Sequence, residues 1–263
     1  MKLPDFAECL PELRRRGLLP ERFRAAYIAG SIARGWGHAA SDLDVYIICD
    51  EPWTGEVTTR VPVALTPDTV PFAVAHVDKM RWTVEYWQDA QIDQLLDKVS
   101  WAVFEHDPKS AELVTSPIQK ELNILERMNH AIVLAGEEWI EERRRQIGES
   151  AIRSLAASAQ LDVVDTYTED VAGLIESGDF EAAVLSAHLA FQFAVDALMA
   201  FHGEVARDGK WRSRRVRIVD SKILPFDAYW RLETMQDLDP EDPLPWLQSV
   251  LALCREISFE VVL

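Results

Sequence analysis

The sequence predicts an α+β protein: a mixed β-sheet domain with flanking helices over residues 1–110, then an all-α helical-bundle domain over residues 111–263. Three observations carry this reading. Two strand-like runs, Arg24–Ala29 and Leu43–Cys49, enclose a glycine-serine turn, and the second is rich in Val, Tyr and Ile. Two further runs, Phe72–Val77 and Met80–Trp87, alternate well enough to form a hairpin. Beyond residue 117 the long segments carry apolar residues at three- and four-residue spacing, the period of helices packed on one face.

Taken in order, residues 4–17 read as a helix with Phe6, Leu10 and Leu13 on one face and Gly17 as its stop. Residues 50–71 hold Pro52, Gly55, Pro62, Pro67 and Pro71, so they predict loop with at most a short strand at Val61–Leu65. The hairpin turns at Asp78-Lys79. In its second run Trp82, Val84 and Tyr86 face one way while Thr83, Glu85 and Trp87 face the other, leaving Glu85 as one acid in an apolar strand. Gln88–Val99 resumes helical spacing, and His106–Ser110 reads as a break, with the domain boundary at 108–117. Helices follow at Ile118 to about Glu142, Glu149–Glu176 and Phe180–His202, the last two joined through Ser177-Gly178-Asp179, with Gly178 as stop and Asp179 as N-cap. Gly203–Asp220 is less regular and basic, and a last helix spans Pro245–Ser258.

At 263 residues, 48% apolar and with nine tryptophans, the chain has ample material for a core. A net charge of −17 and a pI near 4.7 argue against broad, salt-driven nucleic-acid binding and favour a cationic small molecule or a protein as partner. Cys9, Cys49 and Cys254 are too few and too scattered for a disulfide framework or a zinc site, and are read as packing residues. The first residues carry acids and no long apolar run, so a cytoplasmic protein without a membrane anchor is expected. The six histidines show no paired metal-ligand spacing, and His188 is read as a packed helix residue. Asp162, Asp165, Glu169 and Asp170 read as a solvated helix face, and Arg143-Arg144-Arg145 as an ion-paired helix end.

The chemistry concentrates in Tyr27–Asp50. Gly30-Ser31 follows an apolar run, and Asp42-Leu43-Asp44 opens the next one. Side chains at i and i+2 of a strand share a face, so Asp42 and Asp44 project together, as a divalent cation with oxygen ligands requires. Gly30 lets the backbone turn tightly, and Ser31 offers an N–H and a hydroxyl to phosphate oxygens.

The pattern GSIARG…SDLD resembles the signature of the polymerase beta-type nucleotidyltransferase superfamily, and is most similar to its antibiotic-modifying (kanamycin and aminoglycoside) and minimal members. The resemblance implies a nucleotidyltransferase domain for the sheet-bearing half and transfer of a nucleoside monophosphate from an NTP, assisted by Mg²⁺. It further implies Asp42 and Asp44 as metal ligands, Glu85 as a third, with Asp78 the alternative, and Arg34 on the triphosphate. In the helical half, Gly209-Lys210-Trp211-Arg212 resembles a Gly-Lys-Trp-Arg stretch of the kanamycin nucleotidyltransferases, which implies Lys210 as a phosphate-binding cation. Those enzymes place a glutamate base four residues before the lysine; here that position is Ala206, with Glu204 and Asp208 as open alternatives.

The expected function is therefore an Mg²⁺-dependent nucleotidyltransferase. It moves AMP from ATP, or another NMP, onto a hydroxyl of a small-molecule acceptor such as an aminoglycoside-like compound, and releases pyrophosphate. A homodimer is implied by the kanamycin resemblance alone. The alternatives are a minimal nucleotidyltransferase that adds AMP to a partner protein, and a catalytically inactive nucleotide-binding module. The helical half lacks the Arg-His spacing of the nucleases that accompany minimal nucleotidyltransferases.

Overall fold

Apolar alternation and glycine turns build the first half of the chain around one sheet, seen in a computed structural model that describes residues 5–105, 119–206 and 208–261. The chain divides into two compact units, Met1–Ser150 and Ala151–Leu263. The first unit opens with a 3₁₀ turn, Phe6–Glu8, and continues as α1 (Cys9–Arg15), β1 (Ala25–Ala29), α2 (Gly30–Ala33) and β2 (Leu43–Cys49). After a proline-rich loop come β3 (Thr59–Pro62), β4 (Thr69–Val77), β5 (Met80–Gln88), α3 (Asp89–Lys98) and α4 (Trp101–Glu105). The unit closes with α5 (Gln119–Asn129), β6 (Ile132–Ala135) and α6 (Glu137–Glu149).

The six strands form one sheet in the order β3-β4-β5-β2-β1-β6. Only the central β2–β5 pair is parallel; the other neighbours are antiparallel. The hairpin turn at Asp78 and Lys79 takes φ of 47° and 68°, the left-handed conformation of a tight hairpin connection. One face, with Ile28, Val45, Ile47, Val84 and Tyr86, packs on Cys9, Leu13 and Leu18 to form the core. The Tyr86 hydroxyl donates to the Leu18 carbonyl at 2.8 Å. The opposite face carries Tyr27, Asp44, Tyr46, Thr83 and Glu85, in agreement with the alternation read for β5.

One expected element is corrected. The helix predicted over Ile118–Glu142 is broken into α5, β6 and α6. Ile-Val-Leu-Ala is a β-prone run, and β1 offers it an open edge, so β6 pairs antiparallel with β1. Gly136 (φ 79°) then turns the chain into α6 so closely against β1 that a Cβ there would strike the Arg24 carbonyl and Ala25. The sheet-bearing unit thus runs to Ser150, whereas the sequence placed the division near residue 110. The break at His106–Ser110 and the boundary at 108–117 lie outside the described residues.

Among the described residues the second unit is helical, with α7 (Ile152–Ser177), α8 (Phe180–Phe201), a 3₁₀ turn Gly209–Trp211, α9 (Arg212–Val219), α10 (Phe226–Glu233) and α11 (Leu244–Glu260). α7 and α8 join through Gly178 at φ 78° and the Asp179 N-cap, which accepts from the Ala182 N–H at 3.1 Å. α8 is long and apolar enough to cross a membrane by length and composition, but it packs against α7, α9, α10 and α11 as the central helix of this unit. α9 lies in the stretch Gly203–Asp220 that reads as less regular, and α10 in a part of the helical half to which the sequence assigned no separate element.

Candidate functional site

The side chains of interest form rows across the sheet. Ala29, Asp44 and Thr83 are neighbours on β1, β2 and β5, and the next row holds Tyr27, Tyr46 and Glu85. Successive rows lie about 6 to 7 Å apart, two residues along a strand. Gly30 follows β1 directly at φ 70°, and a Cβ on it would collide with Oδ2 of Asp44. Only glycine can bring the backbone this close under that carboxylate.

Asp42 and Asp44 project on one side at the start of β2. Asp42 is 35% exposed and pairs with Arg81 Nη1 at 3.2 Å. Asp44 lies deeper, and its Oδ1 accepts the Thr83 hydroxyl at 2.6 Å. Burial raises the Asp44 pKa above the usual carboxylate range; the Thr83 hydrogen bond and the Arg127 cation oppose this, while the charges of Glu85 and Asp42 add to it.

Glu85 occupies a different environment from the one its sequence suggests. The position on β5 beside Asp44 is Thr83, and Glu85 lies one row deeper at 4% exposure. Its Oε1 accepts from the Tyr46 hydroxyl at 3.1 Å and from Lys120 Nζ at 2.6 Å, while Oε2 accepts from Trp87 Nε1 at 3.0 Å. Arg127 Nη1 lies 3.9 Å from Oε1. A buried carboxylate needs such donors. Of the two third-carboxylate candidates, Glu85 is thus engaged by protein groups and Asp78 is exposed in the hairpin turn.

Arg34 is likewise anchored. Its Nη1 donates to Glu126 Oε1 at 3.0 Å, both side chains are 9% exposed, and its guanidinium stacks 3.9 Å over the Trp36 ring. Ser31 sits half-buried in α2, where its carbonyl accepts from the Trp36 N–H at 2.7 Å.

The sequence reading missed α5 as part of this surroundings. Lys120 and Arg127, seven residues apart and hence on one helix face, meet Glu85; Glu126 meets Arg34; and Glu121 accepts from the Ala64 N–H at 2.9 Å and from Lys98 at 3.0 Å. The signal was the charge pattern of α5, obscured because α5 was assigned to the helical half.

In the second unit Lys210 is exposed, 3.1 Å from Asp208 and 5.5 Å from the Trp211 ring centroid. Two of its basic neighbours, Arg212 and Arg215, are buried, whereas Arg214 and Arg217 are exposed. Arg212 grips both oxygens of buried Asp196 at 3.0 and 2.8 Å, and Arg215, 1% exposed, adds a contact to the same carboxylate at 3.1 Å. Arg212 also lies 3.5 Å from Glu233, whose Oε1 accepts from Gln192 at 3.0 Å. Of the two alternatives for a base, Glu204 is buried and Asp208 caps the Gly209–Trp211 turn. His188 is half-buried, 3.2 Å from the Glu233 carbonyl.

Among solved structures, the chain is similar to a nucleotidyltransferase-like protein from Exiguobacterium sibiricum 255-15, with a TM-score of 0.52 and 11% identity over 96% of this chain and 74% of that one. The chain has a nucleotidyltransferase-like fold. At 11% identity the likeness is one of fold. No family model matches the chain, and no curated protein shows significant similarity to it.

Proposed function

We propose that the protein is a nucleotidyltransferase that uses a divalent cation, Mg²⁺ first, to transfer AMP from ATP, or another NMP from its NTP, to a hydroxyl of a small-molecule acceptor. The observation that carries this reading is the close approach of Gly30 beneath Asp44, with Asp42 projecting beside it at the same end of β2. These residues fit the cation: an all-oxygen pair, partly exposed, with one Asp44 oxygen fixed by Thr83. When bound, such an ion neutralises phosphate charge and favours departure of pyrophosphate.

Around it the chain's own residues have distinct tasks. Gly30 and Ser31 form the turn on which phosphates rest, and Thr83 orients the Asp44 carboxylate. Arg34, held by Glu126 and Trp36, fixes the helix that follows the turn. Lys210 is the phosphate-directed cation of the helical unit, a role supported by its exposure and by the Gly-Lys-Trp-Arg resemblance. The acceptor is a cationic molecule of the aminoglycoside type, supported by the net charge of −17.

The test is to incubate the protein with Mg²⁺, α-labelled ATP and a panel of amino sugars. Pyrophosphate release with label on a low-mass product, lost in Asp44→Asn, is the expected result. Label on protein would move the acceptor to a polypeptide, and undiminished turnover in Asp44→Asn would remove the metal role from β2.

A further inference from the structure

The surroundings of Glu85 bear on how many metal ions this site takes. Its carboxylate shares a sheet face with Asp44, one row away, yet both of its oxygens already accept hydrogen bonds. Two cations, Lys120 and Arg127, meet this single anion, so the trio carries a net positive charge on the face that holds the aspartates. Arg127 is further held over the Tyr46 ring, 5.5 Å from its centroid. Were Glu85 to turn towards a metal, the Lys120 ammonium, the Tyr46 hydroxyl and the Trp87 N–H would all lose an acceptor in a largely buried setting. The position directly beside Asp44 on β5 offers only the Thr83 hydroxyl, which donates to Asp44.

We infer that the site takes one divalent cation, through Asp42 and Asp44, and that Lys120 and Arg127, anchored by Glu85, supply from the protein the positive charge that a second ion would bring. This rests on the nucleotidyltransferase reading of Asp42 and Asp44. Glu85 is then a positioning residue: it sets the two cations of α5 on the phosphate-facing side of the sheet. The site keeps its charge balance with fewer ions because α5 brings two fixed cations to it.

The test counts Mn²⁺ bound per chain, by electron paramagnetic resonance, at saturating non-hydrolysable ATP analogue. One Mn²⁺ per bound analogue is expected for the wild type and for Glu85→Gln. Arg127→Gln is expected to keep that count while weakening analogue binding about tenfold, the loss of one charge-assisted contact. Two Mn²⁺ in the wild type would overturn the inference, with a fall to one in Glu85→Gln identifying Glu85 as a ligand. Should Glu85→Gln not fold, the wild-type count decides alone. Unchanged analogue affinity in both Arg127→Gln and Lys120→Gln would overturn the role of the two cations. Failure of the analogue to bind with Mn²⁺ would overturn the nucleotidyltransferase reading itself, and the inference with it.

Discussion

In the sheet-bearing unit, Asp42 stands partly exposed at the start of β2 with a single Arg81 contact at 3.2 Å, whereas in the helical unit Asp196 is 6% exposed and bound by Arg212 and Arg215 on both oxygens. Both units concentrate charge, but Asp42 keeps a partly exposed carboxylate whereas Asp196 is closed off by two buried arginines. The difference teaches that composition alone misplaces function. The stretch Gly203–Asp220 is the most basic part of the chain, yet its two best-placed arginines hold a helix bundle together. The acidic β2 end, ordinary in composition, keeps the Asp42 carboxylate partly exposed.

The comparison breaks most visibly if Asp196 proves dispensable. Asp196→Ala strands two buried guanidinium groups, and a loss of about 3 to 5 kcal/mol is expected, measured as a lowered urea midpoint with helical signal lost first. A near-unchanged midpoint would place Asp196 with the open carboxylates of β2. Asp44→Asn should do the reverse: turnover falls by two to three orders of magnitude, about 3 to 4 kcal/mol, while the urea midpoint barely moves.

Gly136→Ala tests the seam between sheet and helix in the first unit. With φ at 79° and a backbone carbonyl in the way, the substitution is expected to cost about 1 to 3 kcal/mol. Lys210→Ala sharpens the other side of the comparison. As an exposed cation beside the buried Arg212 and Arg215, it should leave stability alone and raise the KM for NTP about tenfold. No change in KM would return Lys210 to a surface pair with Asp208.

The smallest effect concerns the cysteines. Burial raises Cys9 to about 11 and Cys49 and Cys254 to about 12. An unfolded thiol titrates near about 8.5, so above that pH the folded chain retains protons the unfolded chain has lost. The stability these thiols contribute is complete below about pH 8 and is lost as pH rises through roughly 9 to 12. A urea midpoint falling between pH 8 and pH 10, with slow thiol labelling in the native state, is expected.

Much of the fold was legible in the sequence. β2 and the β4–β5 hairpin follow from alternation, and α7 and α8 from helical spacing with Gly178 and Asp179 between them. β6 was not, because a four-residue apolar run inside helical spacing declares itself a strand only when the open edge of β1 is known. The aspartate pair and Gly30 were legible because strand geometry fixes i and i+2 on one face. The partners of Glu85 were not: Lys120 and Arg127 lie 35 and 42 residues on, and nothing local says that α5 returns to the sheet. The same holds for Arg34, whose partner Glu126 is 92 residues away.

The central claim is that the β2 aspartates serve transfer of a nucleoside monophosphate. Its most direct measurement follows the α-phosphate label of ATP in the presence of Mg²⁺ and amino-sugar acceptors. The account predicts label on the acceptor with one pyrophosphate released per transfer, falling by two to three orders of magnitude in Asp42→Asn and Asp44→Asn while both variants remain folded. Label retained in ATP under every acceptor, or equal transfer by the Asp44→Asn variant, would contradict it.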